Sequence, residues 1–290
     1  RQSVPLVATW DDHDYGWNDA GKEYPFKGES KQIFLEFWRE PAESARRKRP
    51  GIYTHYRFAD AATGRSMQLI LLDTRTFREQ HDMADVRNPG RSMIGERQRK
   101  WLMDEMRASD ATFTFIISPV NFTIPHIGGT TAATMVDEGK DEAWTVFIEE
   151  RDQLIDLWDE LGKPVFVITG DLHNSFAIKI SDNVWEFAGG PHNSSQHPLS
   201  SEGDRLPNGP FEYAGREVEV RWSSFALPDT PNHLRNRVIY CIAQINNVWR
   251  NPNEDDKTRW VAYPKPQAVI QYYDGQTGDL LYAESILATK

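Results

Sequence analysis

Along the chain, short apolar runs rich in β-branched residues alternate with longer stretches whose apolar residues recur every three or four positions, so strands and helices should follow one another. Residues 4–9, 67–72, 113–118 and 164–169 are continuous apolar runs of strand length, which predicts strands covered on both faces. Residues 51–58 alternate in strand fashion and meet the 67–72 run through a turn at 61–64, the pattern of an antiparallel hairpin. Helical spacing appears at 30–38, with apolar residues at 33, 34, 37 and 38 and a stop at Pro41. It recurs at 95–106, where Trp101, Leu102 and Met106 share a face, and at 142–161, from Trp144 to Leu161, ended by Gly162. Short strands follow at 176–180 and 184–187, and a last hairpin pairs 268–273 with 280–282.

This succession predicts a layered fold of the α/β (α+β) class. Two stretches lack either period. Residues 121–140, with Gly128 and Gly129, read as a functional lid or a disordered loop. Residues 200–265, rich in Asn, Pro and Trp, read as an irregular elaboration that shapes access to a site. Neither a repeat nor a linker divides the chain, so residues 1–290 are taken as one domain with its core at about 1–200 and 266–290.

Composition narrows the function classes. The chain has 290 residues, 39% of them hydrophobic, enough for one large core. A net charge of −10 disfavours nucleic acid and other long polyanions as partners, and the basic run at 46–49 reads as a solvated loop. The single cysteine, Cys241, can form no internal disulfide and is expected to be a small buried apolar residue. No apolar run is long enough to span a membrane, and the first residues carry no signal-peptide pattern. Because the chain opens on Arg1 only a few residues before a core run, the natural N-terminus is expected upstream.

The chemistry concentrates at strand ends. The 4–9 run empties into Trp10, Asp11, Asp12, His13 and Asp14, with Asn18 and Asp19 close behind. Carboxylates packed this closely repel one another unless a cation neutralises them, so the loop suggests a metal or phosphate site; the alternative is a solvated turn capped by its Asp residues. The 164–169 run likewise opens into Gly170, Asp171, Leu172, His173 and Asn174. Ligands bind at the carboxyl ends of strands in open α/β sheets, so the two loops could meet over one site. At the end of 67–72, Asp73 either caps the turn or pairs with Arg75; otherwise Arg75 offers a planar donor to a phosphate oxygen. His192 and His197 either line the site or are solvated.

Four motifs in order carry a resemblance: Trp10 to Asp14 with Asn18; Leu72, Asp73, Thr74 and Arg75; Gly95 to Gln98 before Trp101 and Leu102; and Gly170 to His173. Over residues 4–190 and 268–288 the chain resembles the alkaline phosphatase D (PhoD-like) branch of the metallophosphoesterases. The resemblance implies a four-layer sandwich of two mixed β-sheets flanked by helices, with metal ions at the strand ends. It implies hydrolysis of small phosphate mono- or diesters with iron and calcium, or with manganese or zinc, in a periplasmic or secreted setting. Carried over by position, Asp11, Asp12, Asn18, Asp171 and His173 would be metal ligands, Asp171 standing where the wider superfamily has His. His13 would face the phosphate and act as general acid beside Arg75, and Asn18, Arg75 and His192 would contact substrate. In that family a Gly-Asp motif with further ligands precedes the Trp-Asp-Asp-His segment, whereas here only Arg1 to Thr9 do. The alternatives are therefore a fragment of a longer hydrolase, a non-catalytic phosphate- or protein-binding module, or an acidic domain holding structural calcium.

Overall fold

The structure is a computed structural model that describes residues 4–61, 64–82, 84–126, 142–192, 196, 202, 205–224, 238–250 and 260–289. In chain order, helices α1 (Asp12–Tyr15), α2 (Lys27–Phe37) and α3 (Ala45–Lys48) precede β1 (Thr54–Ala59) and β2 (Ser66–Leu71). Then come α4 (Gly95–Ala108), β3 (Phe113–Ile117), a 3₁₀ turn (Trp144–Val146), α5 (Ile148–Leu161) and β4 (Val165–Thr169). The remainder is strand: β5 (Phe176–Lys179), β6 (Val184–Ala188), β7 (Gly209–Tyr213), β8 (Arg216–Ser223), β9 (Ile239–Arg250), β10 (Trp260–Asp274) and β11 (Leu280–Leu287).

Eight strands form one mixed sheet in the order β1-β2-β3-β4-β6-β5-β8-β7, in which β2, β3, β4 and β6 run parallel. A second sheet, β11-β10-β9, is antiparallel throughout, a difference from the mixed sheet expected. One face of the large sheet, with Ile70, Ile116 and Val167, packs on Leu102 and Met106 of α4 and Leu154 and Trp158 of α5. The opposite face, with Phe113, Phe115 and Phe166, packs on Ile270 and Tyr272 of β10. Burial on both sides is why these strands are unbroken apolar runs. Tyr272 ties the two sheets by donating its hydroxyl hydrogen to Phe176 O at 2.7 Å. Among the described residues, no helix is long and apolar enough to cross a membrane.

Five local expectations are corrected. Residues 4–9 form no strand: Val4 is 65% exposed, the run pairs with neither sheet, and β2, above whose end it lies, is already flanked by β1 and β3. It is held instead by Thr9 Oγ1 donating to Leu72 O at 2.6 Å and by Arg46 Nη2 donating to Ala8 O at 2.8 Å. Arg46 thus leaves the solvated loop assigned to it: it is buried, and it also binds Ile52 O and Glu40. Helix α2 buries Phe34 and Leu35 and exposes Ile33 and Phe37, because it packs on the Trp10 ring at 5.3 Å and not broadside on a sheet. The helix expected from 142 begins at Ile148, since Glu142 and Trp144 are drawn into tertiary hydrogen bonds with Arg75 and Ser118. Finally, 200–265 contains β7, β8 and β9, strands that extend both sheets. The expected lid falls mostly outside the described residues, as does His197.

Candidate active site

The first acidic loop closes on itself. Asp12, buried in α1, accepts from the backbone N–H of His13 at 2.8 Å through Oδ1 and from that of Asp19 at 3.0 Å through Oδ2. Asp19 sits in the left-handed region at φ 60°, uncommon for a non-glycine residue, and Asn18 Nδ2 donates to its Oδ1 at 2.6 Å. Burial works to raise Asp12, but the Asp19 N–H, the Arg75 charge and the His13 N–H outweigh it and hold the carboxyl below its usual range. Asp12 is therefore a fixed carboxylate whose two oxygens are each oriented by a backbone donor.

Asp73 builds the platform beneath this loop. Its carboxylate accepts from Trp10 Nε1, Arg75 N, Thr76 N, Ile52 N and Thr76 Oγ1 at 2.7–3.1 Å. Gln98 of α4 meets its backbone from both directions, accepting from Asp73 N and donating to Asp73 O. Of the readings left open for Asp73, capping is the one observed; it binds the Arg75 backbone and not its guanidinium.

That guanidinium is fully buried and turned onto acids. Nε donates to Asp11 Oδ1 at 2.7 Å, Nη1 to Glu142 Oε2, and Nη2 to Glu142 Oε1 at 3.2 Å. Where a phosphate was expected, Arg75 meets two carboxylates. Arg78, also buried, donates from Nη2 to Asp19 O and lies 3.6 Å from Glu142 Oε2. Burial pushes Glu142 up to about 7 against the pull of Arg75, and it raises Asp11 despite the same neighbour.

Oxygen atoms of Asp12, Asp19 and Glu142 lie within 4.8 Å of one another, a possible cation site. Asp171 supplies the test of fit. Its Oδ2 is buried with no hydrogen-bond partner among the described residues. Burial raises its carboxyl well above the ordinary range, and the charges of Asp11, Glu142 and Asp12 push the same way. Asp171 and His173 both have positive φ, 68° and 54°, a strained arrangement that clusters at functional sites. The loop is braced by Gly170 N donating to Pro119 O at 3.1 Å, which joins the ends of β3 and β4. An orphaned buried oxygen beside gathered carboxylates fits a hard cation.

The structure thus joins Asp11, Asp12, Asn18 and Arg75 in one hydrogen-bonded group, with Asp171 in its field. His13 is exposed on α1 and His173 is half-buried two residues beyond Asp171. His192 is exposed in the turn after β6 and takes no part in the hydrogen bonds described above. Sequence reading did not assign Asp19, Glu142 or Arg78 to the site. Asp19 was visible in the acidic loop, Glu142 was absorbed into a helix start, and Arg78 carries no motif.

A family model described as PhoD-like phosphatase matches residues 1–222. Alkaline phosphatase D of Bacillus subtilis (strain 168) is 29% identical over 201 residues, covering 61% of this chain and 32% of that protein. A solved structure described as the structure of PhoD is 16% identical, with a TM-score of 0.56 over 99% of this chain and 55% of that one. The chain therefore spans about a third of that phosphatase and just over half of the solved structure, and at this identity the structural likeness speaks to the fold: a large mixed sheet facing a second sheet. On the family match over residues 1–222, the chain belongs to the PhoD-like phosphatase family.

Proposed function

We propose that this chain hydrolyses small phosphate esters with one or more cations held by Asp12, Asp19, Glu142 and Asp171. Membership of a phosphatase family supports phosphoester hydrolysis in general. The observation that carries the finer reading is the orphaned Asp171 Oδ2 in the field of Asp11, Asp12 and Glu142. Oxygen donors favour a hard ion, so calcium, manganese or ferric iron suits the group better than zinc. A cation bound there would neutralise phosphoryl oxygens and lower the pKa of a water molecule.

The residues of the chain have distinct tasks in this reading. The two backbone N–H groups on Asp12 keep its oxygens from rotating. Arg75 and Arg78 orient Glu142 and hold Asp11 and the Asp19 backbone in register, so Arg75 is a positioning residue and not a substrate donor. In the hydrolysis itself, a water oxygen bonds to phosphorus as the P–O bond to the alcohol breaks. The exposed His13 side chain gives a proton to the departing oxygen, and the proton of the attacking water passes to solvent. A periplasmic or secreted setting accords with the family resemblance.

The test is metal analysis of the purified chain together with turnover of chromogenic phosphate mono- and diesters, with and without added calcium, manganese or iron. Turnover that follows metal content and falls at least a hundredfold in His13→Ala with the fold and metal retained would support the reading. Metal bound without any turnover would overturn it in favour of a phosphate-binding module.

A further inference from the structure

Trp17 stands in the short segment between two carboxylates of the acid group and is 58% exposed. Isolated exposed aromatics are ordinary on protein surfaces, so exposure alone says little. The way this ring is held says more. Asp19 N donates to Asp12 Oδ2, so the loop that carries Trp17 is drawn shut at the acid group, and Ala20 N turns back onto Trp17 O at 3.0 Å. Two residues span at most about 7 Å, which keeps the Trp17 backbone beside Asp19.

The indole is also braced from within. It meets Tyr24 in a T-shaped contact at 5.2 Å and 80°. Tyr24 tilts against Tyr15 at 5.3 Å, and Tyr15 meets Trp10 edge-on at 5.1 Å. Trp10 is bonded to Asp73, so a ladder of rings runs from the buried platform outward to Trp17. Gly16 makes the ladder possible: a Cβ there would fall 2.9 Å from three atoms of the Tyr24 ring. The loop therefore carries a large flat side chain, pre-positioned by packing and still open to solvent, on the segment that joins Asp12 to Asp19. Fixing a ring before binding removes the ordering cost that a mobile side chain would add.

We propose that Trp17 is the stacking platform for the alcohol part of the substrate, and that the preferred esters carry a flat aromatic or heteroaromatic ring. This rests on the hydrolase reading above and names the substrate class for the same site. A ring on the ester stacks on the indole while its phosphate lies on a cation held by the acid group. An alkyl ester such as glycerol phosphate has no face to offer. Stacking of a base on an aromatic side chain corresponds to roughly a tenfold to hundredfold change in affinity.

The experiment compares kcat/KM for phenyl phosphate, adenosine 5′-monophosphate and glycerol 1-phosphate in the unaltered chain, Trp17→Ala and Trp17→Phe, with manganese present and folding checked by circular dichroism. The expected result is a ring-to-glycerol ratio that falls about tenfold or more in Trp17→Ala and is largely kept in Trp17→Phe. Phenyl phosphate and the nucleotide separate a simple aryl preference from a nucleoside one. A ratio unchanged in Trp17→Ala, or equal loss on all three esters, overturns the platform. If the unaltered chain hydrolyses none of them, the hydrolase reading fails, and calorimetric binding of the same compounds decides. A ring preference lost in Trp17→Ala then supports the platform, and equal binding or none overturns it.

Discussion

Trp10 donates its indole N–H to Asp73 Oδ1 at 3.0 Å, and through this bond the approach to the acidic loop is tied to the carboxyl end of β2. The two residues are far apart in sequence, yet one holds the acidic loop and the other the turn that launches Arg75. Replacing Asp73 by Ala leaves five donors without their acceptor. Urea denaturation should show a loss of about 3 kcal/mol or more, with little recovered by Asn, which can accept at only one of the two oxygen positions.

Arg75→Met should be as damaging as a cavity in the core, because it leaves the half-buried Asp11 and the buried Glu142 without the guanidinium they share. A loss of about 3–5 kcal/mol is expected. Arg75→Lys should restore only part of it, since one ammonium cannot span two carboxylates as the planar fork does. Full recovery in Lys, measured by chemical denaturation, would show that charge alone suffices.

Asp171→Asn should separate folding from metal binding. Without added metal the variant should be more stable than the unaltered chain by about 1–3 kcal/mol, because a carboxylate buried among the charges of Asp11, Glu142 and Asp12 becomes a neutral amide. With manganese or calcium in excess the order should reverse. The unaltered chain gains about 2.7 kcal/mol at a hundredfold excess over its dissociation constant, and the variant gains less. Thermal melts across a metal titration check both halves.

Burial pushes the Cys241 thiol up to about 12. At pH 8 the native thiol should react with a chromogenic disulfide at least a hundredfold more slowly than the chain in guanidinium, because the thiolate is the nucleophile. The folded state keeps this proton where the unfolded state loses it. Stability is therefore fully present below about pH 8.5 and falls above it by up to about 1.4 kcal/mol per pH unit. Cys241→Ala should flatten that alkaline decline in denaturation curves taken at pH 8, 9 and 10.

Much of this architecture could be read from the chain because its central strands are covered on both sides. Residues such as Ile116 and Val167 have no polar face to confuse the pattern. The same rule misled at 4–9, where an apolar run stays largely exposed and pairs with neither sheet. β8 was overlooked although Val218 and Val220 alternate with Glu217, Glu219 and Arg221, because Pro and Asn residues nearby suggested irregular chain. In the site, Asp12 and Asp171 were legible since each follows an apolar run. Glu142 was not: its role depends on two buried arginines more than sixty positions away, and no local pattern records that.

The acid group draws one oxygen each from the first loop, its closing residue and the start of the α5 segment, with the turn after β4 alongside. A chain with a single cysteine has no internal disulfide to restrain its unfolded ensemble. An ion gripped by Asp12, Glu142 and Asp171 would serve as that missing cross-link, pinning three distant segments at one point. Whatever the ion does for the chemistry, its departure would then be felt first as a loosening of the polypeptide around α1, before the sheets themselves give way.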